Sequence, residues 1–313
     1  IIVPFRRGTF NSLFYNNTTR ANVGSDKSDN SYGGAIVLNG PATHNGSDWE
    51  ASEARLINCT IVNNSALSDR SNTYTSSGAL RFESRGERKE TFYMFNNIIW
   101  GNLVSNPGSS DQAQVKISGD VGNMTWNNDY NTVQDISTFG SDAGDHSNDY
   151  DPQFTNSSGN DFTLSDASHL IGAGTASYEA VSAPSTDLAG NSRPNPSGSS
   201  PDIGAYENAL SASPYPAPVK NLAGSSGGSS ANLSWDANTE SDMAYYMVAK
   251  STTDNFTPSD ADTVGRTTAT SYTVSGLENG TTYYFRVRAV NSGGQQGGYS
   301  SDVEGVPLFS GPV

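Results

Sequence analysis

Four aspartates lie close together: Asp142, Asp145, Asp149 and Asp151, with Gly144 and Asn148 between them. Hard divalent cations take several oxygens from a turning loop, so Ca2+ is the cofactor this stretch admits. The spacing lacks the EF-hand pattern and its final Glu, and a solvated acidic loop has the same composition. A second cluster is basic: Arg81, Arg85, Arg88 and Lys89 around Gly86, interleaved with Glu83, Glu87 and Glu90. Mixed signs of this kind read as a solvated hairpin tip. His44, His146 and His169 stand far apart in turn-like sequence, with no nucleophile motif beside them, and read as exposed loop residues. No metal-binding His pair, phosphate loop or dinucleotide fingerprint occurs. Residue types and spacing therefore assign no catalytic residue.

The elements that would have to position any site are short strands. Only 34% of the 313 residues are hydrophobic, while Gly, Asn, Ser, Thr and Asp abound. Such a chain is poor in helix formers and rich in turn residues. The 15 Tyr, 12 Phe and 4 Trp fall inside alternating segments and can supply a core, which argues against disorder.

A short repeat runs through the first two-thirds. Phe10-Asn11-Ser12-Leu13-Phe14-Tyr15-Asn16-Asn17 aligns with Ile57-Asn58-Cys59-Thr60-Ile61-Val62-Asn63-Asn64. Both align with Phe95-Asn96-Asn97-Ile98-Ile99-Trp100-Gly101-Asn102, and a weaker copy is Trp126-Asn127-Asn128-Asp129-Tyr130-Asn131. A second strand follows the first three: Gly34-Ala35-Ile36-Val37-Leu38, Gly78-Ala79-Leu80-Arg81-Phe82 and Val115-Lys116-Ile117. The copies are 47, 38 and 31 residues apart, with the variation in polar stretches. Constant strands with variable turns describe a solenoid whose loops leave one corner.

Alternation along each copy puts Phe10, Ile57, Phe95 and Trp126 inward. It puts Ser12, Cys59, Asn97 and Asn128, then Phe14, Ile61, Ile99 and Tyr130, inward as well. Asn11, Asn58, Asn96 and Asn127 then form an outward amide column; a slip of one residue would reverse this parity. Tyr15, Val62 and Trp100 form an outward column beside it. Aromatic rings next to amides suit sugar binding, by stacking and by hydrogen bonds to hydroxyls. Tyr15, Trp100, Asn11, Asn58, Asn96 and Asn127 are accordingly the expected ligand-binding residues. The competing expectation is that long inserts cover this column as a second small core.

The net charge of −15 is spread over both parts of the chain, without a basic stripe. Nucleic acid is thereby disfavoured as a partner, because phosphate neutralisation needs clustered Lys and Arg. Cys59 is the only cysteine, so no intrachain disulfide and no Cys-based metal site exist; it reads as a small buried residue. No transmembrane run is present. Ile1-Ile2-Val3-Pro4 is too short for a signal peptide, and strand-like sequence starts at once, so the expected context is a processed or excised piece of a longer secreted protein.

Ser211 to Pro218 is a Pro/Ala/Ser linker, after which seven short strands with turns are predicted. Ala231-Asn232-Leu233-Ser234-Trp235, Ala244-Tyr245-Tyr246-Met247-Val248 and Thr281-Thr282-Tyr283-Tyr284-Phe285-Arg286-Val287-Arg288-Ala289-Val290 carry the pattern. This part resembles a fibronectin type III domain, with Tyr283 as its tyrosine-corner residue. Such modules in secreted bacterial proteins usually serve as spacers.

The first part has a resemblance of its own. Asn58-Cys59-Thr60-Ile61, Gly33-Gly34-Ala35-Ile36 and Asn97-Ile98-Ile99-Trp100-Gly101-Asn102 are similar to repeats of right-handed parallel β-helix proteins of the pectate-lyase-like superfamily. Asp151-Pro152-Gln153-Phe154, Asp161-Phe162-Thr163-Leu164, Leu170-Ile171-Gly172-Ala173-Gly174, Asp187-Leu188-Ala189-Gly190, Arg193-Pro194 and Pro201-Asp202-Ile203-Gly204-Ala205-Tyr206-Glu207 resemble the closing segment of secreted bacterial members. The fold class implied is all-β: a right-handed parallel β-helix, or solenoid, over 1–210, continuing a longer one. A linker follows at 211–218 and a fibronectin type III-like β-sandwich at 219–308.

The resemblance implies secretion, a cell-surface or extracellular location, and a glycan-related or surface role. Polysaccharide lyases belong to the same superfamily. Their chemistry on uronates needs carboxylate neutralisation and a base, commonly Lys or Arg, or a Ca2+-assisted site. The matched outward positions here are Asn, Thr, Leu, Val and Ile, and only Asp129 offers a carboxylate on such a column, where a polygalacturonase-type hydrolase needs two or three Asp. The leading expectation is a non-catalytic module for adhesion or glycan binding, with an extracellular polysaccharide or cell-surface glycan as partner. Two alternatives stay open: a structural subunit self-associating through its β-helix ends, and a polysaccharide lyase whose site lies in the inserts.

Overall fold

The computed structural model describes residues 2–3, 8–21, 34–39, 52–68, 77–84, 90–104, 114–119, 124–136 and 144–305. The chain divides into two compact units, Ile1–Ser213 and Pro214–Val313. Both are built from strands, with almost no helix among the described residues.

In the first unit the strands recur in groups. The first group is β1 (Ile2–Val3), β2 (Gly8–Phe10), β3 (Leu13–Tyr15) and β4 (Thr18–Ala21). The second is β5 (Ile36–Asn39), β6 (Ser52–Ile57), β7 (Thr60–Val62) and β8 (Ser65–Ser68). The third is β9 (Leu80–Ser84), β10 (Glu90–Phe95), β11 (Ile98–Trp100) and β12 (Leu103–Val104). The fourth is β13 (Val115–Gly119), β14 (Met124–Asp129) and β15 (Thr132–Val133). Each strand pairs in parallel with its counterparts, giving the sheet orders β1-β5-β9-β13, β14-β10-β6-β2, β15-β11-β7-β3 and β12-β8-β4. The first three circuits thus visit the same four sheets in the same order, and the described strands of the fourth visit the first three of them.

Asparagine makes the corners of these circuits. Asn11, Asn58 and Asn96 at one corner, and Asn16 and Asn63 at the next, have φ between 43° and 57°. This left-handed region is costly for most residues and tolerable for Asn. The residues that follow hold the stack together. Asn97 Oδ1 accepts the Cys59 N–H at 2.9 Å, and Asn131 Oδ1 accepts the Asn97 N–H at 2.9 Å. At the second corner Asn64 Oδ1 accepts from Asn17 N at 3.0 Å, and Asn102 Oδ1 from Asn64 N at 2.9 Å. The abundance of Asn therefore has a structural cause: it takes the backbone geometry and satisfies buried donors.

The corners also correct the expected parity. Leu56, Cys59 and Ile61 belong to the main core, together with Phe82, Phe92, Met94, Ile99 and Val133. Ile57 and Phe95, expected on the same side as Cys59, pack instead in a separate cluster with Val181. Strict alternation requires a continuous strand, and one left-handed residue ends it. The fourth copy is displaced too. Trp126 pairs with Phe92 and Asn127 with Tyr93, so Asp129 stands opposite Phe95. Tyr130, with φ 54°, takes the corner place that Asn96 holds in the third circuit, and is not an interior residue. Trp126 does pack on the main core, edge-on to Phe82 with centroids 4.6 Å apart.

A closing segment follows, with hairpins β16 (Phe154–Asn156) to β17 (Asp161–Leu164) and β18 (Ser177–Tyr178) to β19 (Val181–Ser182). Phe162, Leu164, Leu170, Ile171 and Ile203 cover Val62 and Ile98 on the outside of the stack. Gly204, at φ 110°, is needed here: a Cβ would come 2.6 Å from Ile98 Cδ1.

The second unit holds seven described strands in two antiparallel sheets. One contains β20 (Ala223–Gly227), β21 (Ser230–Ser234) and β24 (Ser271–Ser275). The other contains β22 (Met243–Ser251), β23 (Thr263–Thr267), β25 (Tyr283–Asn291) and β26 (Val303–Gly305). Inward residues of both sheets, among them Trp235, Val248, Phe285 and Val287, form one core. The Tyr283 hydroxyl accepts the Glu278 N–H at 3.3 Å, as a tyrosine corner does.

Candidate functional site

The closing segment meets the corner asparagines in a polar seat. Asn58 Nδ2 donates to the carbonyls of Asp202 and Gly204, both at 3.2 Å. Asn96 exchanges two bonds with the Thr175 backbone, at 2.7 and 2.9 Å, and Asn11 Nδ2 donates to Thr186 O. Asn58 and Asn96 are wholly buried and Asn11 half-buried, which corrects the expected outward amide column. Asn127 is half-buried and lies opposite Tyr93, outside that column.

Arg193 sits at the centre of the seat. Its Nη1 lies 2.7 Å from Glu207 Oε1, and both side chains have no exposed surface. Arg193 also donates to Asp202 O and Gly204 O at 3.2 Å, and to Asn11 Oδ1 at 3.3 Å. Glu207 Oε2 accepts from Asn195 N at 3.0 Å, while Asp202 takes the N–H groups of Gly172 and Asn208 at 2.7 and 2.6 Å. Burial pushes Glu207 up to about 7 against the pull of Arg193, and Asp202 up to about 6. Asp187 is pushed up by burial too, but the Glu207 N–H and the Asn191 side chain hold it below its usual value. Burial likewise lowers Arg193, opposed by these carboxylates. One cation thus faces three carboxylates with little exposed surface, and what the arrangement does is fasten the segment.

Asp129 forms a second constellation that residue spacing did not reveal. In its column it replaces Phe95, and its carboxylate is nearly buried. Oδ1 accepts the N–H groups of Tyr130 and His146, both at 2.8 Å, and Oδ2 lies 2.8 Å from His146 Nδ1. The imidazole lies flat on Tyr130, with centroids 4.4 Å apart. His146 is exposed, as expected, but it is held, through Nδ1 by the Asp129 carboxylate and through its ring face by Tyr130. The only signal in the sequence was a carboxylate at a column position occupied elsewhere by Phe or Ile.

The other expected site residues are scattered. Tyr15 is 41% exposed, with its ring 5.5 Å from Phe162, whereas Val62 is 1% exposed and Trp100 packs on the same outer cluster. The closing segment therefore covers this column at Val62 and Trp100, while the long inserts expected to cover it lie outside the described residues. Asp145, Asp149 and Asp151 are exposed, and Asp151 Oδ1 accepts from Gln153 N at 2.8 Å. Among the described residues no three His, Cys, Asp or Glu side chains are grouped to hold a metal ion; Asp142 lies outside them. Of the basic cluster only Arg81 is described, half-buried on β9; Arg85, Arg88 and Lys89 lie outside, as does His44. His169 is half-buried beside Tyr150 rather than exposed. Cys59 is buried as expected, and burial pushes its thiol up to about 12. Among the described residues no helix is long and apolar enough to cross a membrane.

Comparison with known proteins bears on the second unit. The chain is similar to a titin segment at 27% identity, covering 30% of this chain and 33% of that one, with TM-score 0.27. It thus spans about a third of that structure. An Fn3-like protein from Clostridium thermocellum shares 29% identity over 31% of this chain and 98% of its own, with TM-score 0.26. The sixth domain of human fibronectin type III domain containing protein 3 shares 25% over 31% and 92%, with TM-score 0.26. No curated protein matches the chain. The family of fibronectin type III domains matches residues 217–306, and the second unit carries such a domain there.

Proposed function

We propose that residues 1–210 wind as a right-handed parallel β-helix and that the chain is a secreted or cell-surface module for adhesion or glycan binding, without catalysis of its own. The fibronectin type III domain serves it as a spacer. The observation that carries this reading is the order of pairing, in which three circuits visit four parallel sheets in the same sequence and the described strands of a fourth visit the first three. The buried polar groups support a scaffold role, because Arg193, Glu207, Asp202, Asn58 and Asn96 are engaged in holding the closing segment.

On this reading Tyr15 is the aromatic platform, with Trp100, Asn11 and Asn127 contributing less because each is partly covered. Asn58 and Asn96 act on the fold. The test is calorimetric titration of the chain with uronate-containing and neutral polysaccharides. Tyr15→Ala should weaken binding by about tenfold, the loss of one stacked ring, while the chain stays folded with a slightly lower melting temperature from the lost contact with Phe162. No binding to any of them removes the glycan reading. A structural subunit of an extracellular assembly is the second reading, favoured by the end strands β1 to β4, which pair on one side only among the described residues. Appearance of unsaturated uronate in the same mixtures would instead make the chain a polysaccharide lyase.

A further inference from the structure

We propose that the glycan contact at Tyr15 extends onto Asp161 and Tyr206 of the closing segment, and that Asp161 makes it select sugars with hydroxyl or ammonium donors against uronates. This rests on the glycan reading above and adds its ligand class. Residues far apart in the chain build the surface. Tyr15 and Asn16 stand at the end of β3, and Asn160, Asp161 and Phe162 at the start of β17. The Tyr15 ring lies 5.5 Å from that of Phe162, and Asn16 Nδ2 donates to Asn160 Oδ1 at 3.0 Å. Asp161 stands in the chain between these two contacts.

Alternation along β17 decides which side chains face out. Phe162 and Leu164 are buried in the outer cluster, while Asp161 and Thr163 lie on the opposite face and are half-buried. Thr163 donates to Asp161 Oδ1 twice, through its N–H at 3.1 Å and its hydroxyl at 2.7 Å. These bonds fix the carboxylate, and Oδ2 accepts from no described residue. Tyr206 joins from the far end of the closing segment and is half-buried. Burial pushes its hydroxyl up, and Asp187, Asp161 and Tyr15 push it further, so it lies within electrostatic reach of both Tyr15 and Asp161.

A ring for one face of a pyranose, a fixed carboxylate and flanking amides form a set that takes a sugar. Stacking hardly distinguishes one pyranose from another, so the charged group sets the choice. A carboxylate only accepts: sugar hydroxyls and ammonium groups donate to it, with charge-assisted strength. The carboxylate of a uronate offers no donor and brings like charge against Asp161. Arg193, the cation that reaches the first circuit through Asn11, is wholly buried and held by Glu207, so it does not neutralise a uronate at the surface.

The test is calorimetric titration of the full chain with cellohexaose, a chitosan hexamer and hexagalacturonate at one salt concentration. The chitosan hexamer should bind about tenfold or more tighter than hexagalacturonate, with cellohexaose between them. Asp161→Asn keeps an acceptor for Thr163, and should weaken binding of the chitosan hexamer by about tenfold while closing most of the gap to hexagalacturonate. Asp236→Asn removes the same charge from the second unit and should leave the ranking unchanged. Hexagalacturonate bound as tightly as cellohexaose by the parent chain overturns the proposal without any variant. So does a ranking that Asp161→Asn does not move, or that Asp236→Asn moves as much, which would assign the selection to net charge. Where polysaccharides bind but no hexamer does, the contact lies on another surface: the glycan reading stands and the proposal falls. No binding of either removes the glycan reading, and the proposal with it.

Discussion

Arg193 Nη1 and Glu207 Oε1 are 2.7 Å apart, and neither side chain has any exposed surface. The two residues belong to the closing segment, yet Arg193 also reaches Asn11 on the first circuit. The pair is therefore a fastening between distant parts of the unit. As an isolated ion pair it contributes little net stability, because desolvation offsets the Coulombic gain. Removal of one partner is a different matter. Arg193→Ala should destabilise the first unit by about 3–5 kcal/mol, since Glu207 would remain buried and unpaired. Replacing both, with Arg193→Met and Glu207→Leu, should not restore stability. Glu207 also accepts the Asn195 and Asp202 N–H groups, which an apolar side chain leaves without partners. Calorimetric melting of the single and double variants measures both outcomes.

The same seat gives the unit a pH dependence. Glu207 titrates at about 7 and Asp202 at about 6 in the folded chain, above their ordinary values of 4.5 and 3.8. The folded chain then holds protons that the unfolded chain has released, so these groups favour folding below their ordinary values. That contribution is lost as pH rises through about 6 and 7. Asp187, whose value is lowered, acts only at more acid pH. The melting temperature of the first unit should accordingly fall between pH 5 and pH 8 through these two groups. Glu207→Gln should flatten the upper part of the slope; an unchanged slope would reject the assignment.

The amide columns should differ in worth from end to end. Asn97 is buried and donates to Leu56 O at 2.8 Å and Phe95 O at 3.0 Å while accepting the Cys59 N–H. Asn97→Ala leaves such groups unsatisfied, at about 1–3 kcal/mol for each. Asn17→Ala, at the exposed end of its column, should change stability by less than about 0.5 kcal/mol. Urea unfolding of the two variants, with near-equal m values, makes the comparison.

In the second unit, Tyr283→Phe should lower only the transition of the fibronectin type III domain. The hydroxyl accepts one backbone N–H, from Glu278, and its loss costs about 0.5–1.5 kcal/mol. A shift in the transition of residues 1–213 instead would contradict the division into two units.

Much of the local architecture was legible in the residues. The Phe10, Ile57 and Phe95 copies do stand in register, and the fibronectin type III domain could be read from Trp235 and the Tyr283 strand. Local chirality is what the residue pattern does not carry. Two-residue alternation cannot be carried through Asn58, whose left-handed backbone sends Ile57 and Cys59 into different clusters. The fourth copy is displaced by three residues because Tyr130 replaces Asn at its corner, and Asn127 matches the repeat in its stead. The covering of Asn58 and Val62 by residues far along the chain, and the hold of Asp129 on His146, are long-range facts. Residue spacing carries no record of them.

The corner bonds recur at 2.9 to 3.0 Å although the partners are 47, 38 and 34 residues apart in the chain. Register is thus set at the corners and is indifferent to how much chain leaves and returns between them. Insertions or deletions between circuits change the surface without disturbing the stack, since a longer loop costs little extra closure entropy. Such a molecule can vary its outward sequence rapidly under selection while its frame stays the same.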